Sequence, residues 1–387
     1  MNSPYFKETN KISIEENCKE VTDILVYKLK NIPNAIYFAF LIYKNNIQIF
    51  KYSYETKSFK NIGKIDVIGC CFNSMKYIYN PLDKQEYFFV INDTDEIEIY
   101  LIKNETNFEL IQKLNYLNDE DNIIKNNENF INLDDDDSNS AGGGATFTTW
   151  NFLDVFYNEN DKNIYTIIGY LIMQNAGGSM SSLDYYNSKS NNIFIFKDGK
   201  LNLIKTFKFD IDFNMNNLIY MKNALDKKYL IDAHQNNNLI LIELKSNYNN
   251  YEAENFFNDD NNKNKLANFI GSQRNYGSCI IYGKNNFDYL YIFEGNKLMI
   301  INFTKKNIDK IIDFNQTYFN SIHNWNNDYL IFFKFRTEID IYDINNNQII
   351  TKYKKKDCRG FISYSFPGKD QTLGIFRYFD KIECYFI

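Results

Sequence analysis

The sequence predicts an all-β chain built from copies of one four-strand unit, and three observations predict it. The first is a repeated stretch, clearest at Tyr329-Leu330-Ile331-Phe332 and Ile339-Asp340-Ile341-Tyr342. In it a tyrosine opens one apolar run, and ten residues later an isoleucine opens a second that ends on an aromatic. The second is composition: Phe 34 and Tyr 31 bring the aromatic share to 17%, and aromatic side chains suit pleated strands. The third is periodicity, because apolar residues recur at period two and polar turns interrupt them every few residues. A helix has no use for that pattern.

Taken in order, the second run recurs as Ile47-Gln48-Ile49-Phe50, Ile97-Glu98-Ile99-Tyr100, Ile193-Phe194-Ile195-Phe196 and Leu239-Ile240-Leu241-Ile242. Leu298-Met299-Ile300-Ile301, Ile339-Asp340-Ile341-Tyr342 and Ile382-Glu383-Cys384-Tyr385 complete a set of seven. Several alternate apolar with polar, as half-buried strands do, and the rest are apolar throughout, as fully buried strands can be. Tyr37, Tyr87, Tyr229 and Tyr329 each stand ten residues before the matching Ile or Leu, and Tyr289 stands nine before Leu298. Tyr165 stands further back, and the seventh copy has Leu373 instead.

Another apolar segment precedes most pairs, at 67–72, 147–152, 217–221, 278–282, 318–323 and 361–365, and one more follows at 108–114, 201–207, 308–314 and 348–353. Four strands per unit, seven units and a usual period in the forties describe a seven-bladed β-propeller of four-stranded antiparallel blades, in one domain over 1–387. A short sheet cannot bury both faces alone, whereas stacked sheets can. The last unit stops after its third strand, while a surplus segment at 11–15 precedes the first inner strand at 21–29. The N-terminal strand is therefore expected to complete the last blade and close the ring.

Period, strand order and N-to-C closure resemble the WD40 repeat family over nearly the whole length. Where that family often ends its third strand with Trp-Asp, this chain has Phe50-Lys51, Tyr100-Leu101, Phe196-Lys197, Ile242-Glu243, Ile301-Asn302, Tyr342-Asp343 and Tyr385-Phe386. Tyr342-Asp343 comes nearest, and the Gly-His pair that opens family repeats is absent. The resemblance implies a propeller that binds proteins rather than one that catalyses.

Three insertions break the spacing, at about 116–145, 174–191 and 246–265, and mobile loops are expected there. The first carries a run of four aspartates at 134–137; the second is rich in Gly and Ser, the third in Asn and Asp. In a propeller the first two emerge on one rim.

A net charge of −6 gives no global attraction for nucleic acid or anionic lipid. Cys18, Cys70, Cys71, Cys279, Cys358 and Cys384 have no repeated spacing, which fits buried free thiols in a reducing compartment. No signal-peptide core and no membrane-length apolar run are visible, so a cytoplasmic protein is expected.

Catalysis and metal binding find little support. His234 falls in a polar turn and His323 in an inner strand, and neither has a nucleophile placed beside it by any motif. Cys70 and Cys71 are adjacent and have no second pair for zinc. The aspartate run lacks the glycine and closing glutamate of a calcium loop. No metal, cofactor or catalytic residue is assigned.

One pattern stands out. All four arginines, Arg274, Arg336, Arg359 and Arg377, fall in the last three units, at the starts of inner strands or the ends of second strands. Those positions converge on one rim. Guanidinium groups recognise carboxylate and phosphate in a planar, bidentate fashion. The expected function is a non-catalytic interaction platform, a scaffold or adaptor subunit whose arginine rim receives an acidic or phosphorylated segment of a partner protein. Lys352, Lys354, Lys355 and Lys356 read as the blunting of an exposed edge strand. They also raise a phosphoinositide-binding alternative, for which Phe335-Arg336 and Phe376-Arg377 lack the second arginine and glycine of the lipid-binding motif. An enzyme using a central funnel is the remaining alternative.

Overall fold

Every strand pairing is antiparallel, and the pairings gather into seven four-stranded sheets. In the computed structural model the described residues are 11–14, 21–32, 34–42, 46–53, 56, 58–67, 75–92, 96–115, 146–175, 185–209, 219–222, 228–232, 240–244, 251–269, 276–284, 287–294, 296–314, 321–326, 329–334, 338–354, 357–358, 360–365, 372–378 and 381–386. The sheets fall into two compact units, Val21–Phe213 and Met1–Glu20 with Asn214–Ile387. Among the described residues no helix is long and apolar enough to cross a membrane.

A short strand β1 (Lys11–Ile14) precedes the unit Val21–Phe213. That unit's first sheet is β2 (Val21–Tyr27), β3 (Ala35–Ile42), β4 (Ile47–Ser53) and β5 (Ser58–Ile65), and its second is β6 (Met75–Asn80), β7 (Gln85–Ile91), β8 (Glu96–Asn104) and β9 (Asn107–Asn115). The third is β10 (Thr146–Asn158), β11 (Asn163–Asn175), β12 (Tyr185–Lys197) and β13 (Lys200–Phe209). The first strands of successive sheets are neighbours, β2 beside β6 and β6 beside β10.

The middle sheet is covered on both faces, and strand periodicity explains how. Phe88, Val90, Tyr100 and Ile102 point one way, into a core with Tyr37, Ala39, Ile47 and Ile49 of the first sheet. Tyr87, Phe89, Ile97, Ile99 and Leu101 point the other way, against Ile168, Phe194 and Phe196 of the third. Side chains alternate across a strand, so a residue polar in the sequence can still face a neighbouring sheet.

The other unit repeats this plan. Its sheets are β14 (Ile219–Lys222), β15 (Lys228–Asp232), β16 (Ile240–Leu244) and β17 (Tyr251–Asn255), then β18 (Tyr276–Lys284), β19 (Phe287–Glu294), β20 (Lys297–Asn302) and β21 (Asn307–Asp313). Next come β22 (Ser321–Asn326), β23 (Tyr329–Lys334), β24 (Glu338–Asp343) and β25 (Gln348–Lys354). The last is β26 (Gly360–Ser365), β27 (Thr372–Arg377) and β28 (Ile382–Phe386), with β1 as its fourth strand. Lys11 pairs with Tyr385 and Ile14 with Ile382. Phe293, Leu298 and Ile300 pack on Leu330, Phe332 and Tyr342; on the other face Ile331, Ile339 and Ile341 pack on Phe361, Phe376 and Tyr385.

A bulge recurs where third and fourth strands pair. It falls between Ile49 and Phe50, Ile99 and Tyr100, Ile300 and Ile301, and Ile341 and Tyr342, and two motif positions earlier at Ile193 and Phe194. Each gives the outer strand one extra residue, which increases local twist.

Four expectations need correction. Most polar positions of the repeated run are not half-buried: Glu98, Asp340 and Glu383 are buried, because the next sheet covers that face too, while Gln48 is half-buried as expected. Glu98 Oε1 accepts from Asn92 Nδ2 at 3.0 Å and Oε2 from the Tyr100 hydroxyl at 2.5 Å. Glu383 Oε2 accepts from the Tyr378 and Tyr385 hydroxyls, both at 3.2 Å, with Lys381 Nζ at 3.0 Å from Oε1.

The second sheet's first strand is β6, not 67–72, since Met75 and Ile78 supply its buried positions. The described residues of the segment 174–191 are strand: β11 runs to Asn175 and β12 starts at Tyr185, and those residues are paired. The polar arm Ser188-Lys189-Ser190-Asn191 hides that strand in the sequence. The segment 246–265 contains β17 and most of helix α1 (Asp260–Phe269).

Asp259 caps that helix, its Oδ1 accepting from Asn262 N at 2.8 Å. Asn262 Oδ1 in turn accepts from Ile308 N at 3.1 Å, and Phe256 stacks near Phe303 with centroids 5.0 Å apart. The helix thereby ties the exit of one sheet to the outer strand of the next. The segment 116–145 lies outside the described residues.

Candidate functional site

Of the four arginines, Arg377 is described; Arg274, Arg336 and Arg359 lie outside the described residues. Arg377 ends β27, where it pairs with Gly360 at the start of β26 and with Ile382 at the start of β28. Its half-buried side chain lies across Gly360: a Cβ there would meet Arg377 Nε and Nη2 at 3.3 Å. Glycine is what lets the guanidinium rest on the backbone. The Cys358 thiol donates to Gly360 O at 3.3 Å and Arg377 O at 3.6 Å, fixing this corner from beneath.

The same end of the two preceding sheets pairs alike, Tyr276 with Glu294 and Ser321 with Phe333. First-strand starts and second-strand ends therefore share an edge in all three sheets. Nearby, Lys352 on outer strand β25 reaches buried Asp340 at 3.8 Å.

A second place with chemistry lies in the unit Val21–Phe213, at the sheet ends where first strands turn into second. A cleft of about 340 Å³ opens there, lined by Leu29, Asn31 and Ile32 of the β2–β3 turn, residues 84–86 and residues 101–104. Beneath it Tyr27 stacks on Tyr37 and Tyr77, with centroids 5.4 and 5.1 Å apart. Burial holds the Tyr27 and Tyr37 phenols well above their usual pKa. Glu86 is 5% exposed, and its Oε1 accepts from Lys30 N at 2.5 Å and from the Tyr77 hydroxyl at 2.8 Å. At the lip, Lys103 pairs with Glu109 at 2.9 Å.

Glu105, on the β8–β9 turn, accepts from both the Tyr37 hydroxyl and the Lys51 ammonium of the neighbouring sheet. Those two donors, Lys51 first, hold its carboxyl below the usual range. A lowered folded pKa contributes stability that is present above the unfolded value and lost as pH falls through the folded one. Glu105→Gln is therefore expected to lower stability at pH 7 by at most about 1 kcal/mol, as for a part-exposed pair. The difference from the unaltered chain should shrink as pH falls below the unfolded value of about 4.3 and vanish only below the lowered folded value. Urea unfolding followed from about pH 7 down to about pH 2.5 measures both, and a deficit that does not shrink over that range would refute the assignment.

His323 lies in β22, and His234 is outside the described residues. Among the described residues no group of three or more His, Cys, Asp or Glu is placed to hold a metal ion. The sequence reading missed the cleft, since its residues come from the β2–β3 turn, the start of β7 and the end of β8, which meet only in the fold.

No protein-family model matches the sequence, and a search of curated proteins finds no match. Among solved structures the chain is similar to Saccharomyces cerevisiae Sqt1, a WD40 β-propeller, over 98% of this chain and 99% of that one, at 8% identity and a TM-score of 0.50. At that identity the likeness carries the fold alone: an all-β, antiparallel architecture of the propeller type.

Proposed function

We propose that the seven sheets are blades of one closed propeller over 1–387, and that it works as a non-catalytic platform for protein partners, a scaffold or adaptor subunit. The pairing of β1 with β28 supports closure, because the head of the chain supplies the strand its tail lacks. The propeller likeness supports an interaction role by analogy. Cys358 and Cys384, buried and not joined in a disulfide, suit a reducing, cytoplasmic setting.

The arginine edge, comprising Arg274, Arg336, Arg359 and Arg377, receives an acidic or phosphorylated partner segment in this reading. The observation that carries it is the Arg377 guanidinium laid across Gly360 at a sheet corner, a planar fork of the kind that recognises carboxylate or phosphate. Affinity capture from cells, read by mass spectrometry, tests it. A chain with all four arginines changed to alanine is expected to recover at least about tenfold less partner. Undiminished recovery would refute the edge, and recovery of the chain alone at monomer size would refute the platform.

A further inference from the structure

The geometry points to the 340 Å³ cleft as a docking site for a partner peptide segment presenting one cationic side chain, with Glu86 as its counter-charge. This inference stands apart from the arginine edge and does not depend on it. Both donors to Glu86 go to Oε1, from Lys30 N and the Tyr77 hydroxyl. That leaves Oε2 with no hydrogen-bond donor among the described residues, on a carboxylate 5% exposed at the cleft. Buried carboxylates are ordinarily paired or fully hydrogen-bonded, and an open oxygen calls for a charged donor.

The walls select the rest of the ligand. Leu29 and Ile102 are buried in the same apolar cluster, with Ile32 packed against it, and all three line the cleft. An arginine or lysine has the matching anatomy, an alkyl stem that covers apolar surface and a charged head at its end. The volume is at the small end of ligand pockets, about 300–1,000 Å³, which fits one side chain better than a cofactor. Lys84 and Lys103 stand at the lip, with Lys103 already paired to Glu109. They repel a second positive charge nearby, so a lone cationic residue fits better than a polybasic run. They do not make the cleft an anion site, because an anion entering would approach the open carboxylate oxygen.

The probe is a capped pentapeptide, Ala-Ala-Arg-Ala-Ala, titrated into the full chain and followed by amide chemical shifts. The same peptide with citrulline or glutamate in place of arginine is the comparison. Saturable shifts at Leu29, Ile32 and Lys84 are expected with the arginine peptide, with citrulline at least about tenfold weaker and no saturation with glutamate. Glu86→Gln should weaken the arginine peptide by at least about tenfold. The glutamine oxygen can still accept from Lys30 N and Tyr77, so the cleft keeps its shape. If Glu86→Gln fails to fold, Lys84→Glu carries the test and should tighten binding about threefold or more. Equal affinity of arginine and citrulline peptides, binding to Glu86→Gln within about twofold of the unaltered chain, an unchanged Lys84→Glu, or no saturation at all would each overturn the proposal.

Discussion

A chain lacking residues 1–15 is expected to lose about 2–6 kcal/mol of stability and to aggregate from its folded state. Four residue pairs join β1 to β28, from Lys11 with Tyr385 to Ile14 with Ile382. Backbone hydrogen bonds contribute about 0.5–1.5 kcal/mol each, so losing such a ladder removes a large part of a usual total of about 5–15 kcal/mol. The deletion also strips the edge of β28, where Glu383, Cys384 and Tyr385 are buried in the intact chain. An uncovered edge beside buried apolar residues is a template for pairing with another chain. Urea unfolding gives the stability, and size-exclusion chromatography gives the association. A synthetic peptide of residues 1–20 added in trans should restore much of both. An unfolding free energy within about 0.5 kcal/mol of the full chain would mean that β1 does not hold the sheet.

The repeat was legible because two of its demands are chemical. Second strands carry a tyrosine within their first three residues in six sheets, and Tyr87 and Tyr165 show why. Asp83 and Asp161, four residues earlier, accept from their hydroxyls across a turn. Lys84 and Lys162 take the left-handed conformation in those turns, with φ of 58° and 59°. Third strands were legible because both faces are covered and apolar residues recur in them at alternate positions or in unbroken runs.

What stayed hidden was either polar or non-local. β5 has half-exposed and exposed residues at most positions, the polar arm of β12 pairs by continuation from β11, and β17 is a short Tyr-Glu-Ala-Glu run. The Trp-Asp comparison missed its target for a different reason. β4 and β8 run on to Ser53 and Asn104, beyond the dipeptides compared. At the true strand ends one task recurs in several spellings. Asp343 Oδ1 accepts from Asn345 N and Asn346 N, Asn302 Oδ1 from Lys305 N, and Asn104 Oδ1 from Thr106 N. A short side-chain oxygen that caps the turn is what the fold requires, and Asp is one way to supply it. Of the candidate sites, Arg377 was legible as a rare residue at a strand end. The cleft was not, because Glu86 becomes unusual only when two turns and a tyrosine close around it.

Alkaline unfolding should be steep, and buried tyrosines set where it occurs. Tyr27, Tyr37, Tyr87, Tyr100, Tyr165, Tyr342 and Tyr378 are each less than 9% exposed. Burial raises every one of their pKa values beyond the reach of ordinary titration, with nearby carboxylates adding to most. In the unfolded chain these phenols ionise near pH 10. Above that pH the unfolded state has released protons that the folded state retains. Stability contributed by the raised pKa values is complete below about pH 10 and falls as pH rises, by about 1.4 kcal/mol per tyrosine one unit higher. Tyr37, Tyr87 and Tyr165 share their hydroxyls with carboxylates at part-buried turns and count for less, so the seven together amount to several kcal/mol by about pH 11, a large part of the whole stability of a typical domain. The tyrosinate absorbance of these seven, among the chain's 31 tyrosines, is therefore expected to appear together with the loss of circular dichroism, as one cooperative phase between about pH 10 and 11.5. Tyr37→Phe, which keeps the ring and removes the titrating group, should move the midpoint upward where its loss of the Glu105 contact is small. Complete ionisation of all 31 tyrosines with circular dichroism unchanged would show these hydroxyls open to solvent, and the buried tyrosine interface between sheets would have to be abandoned.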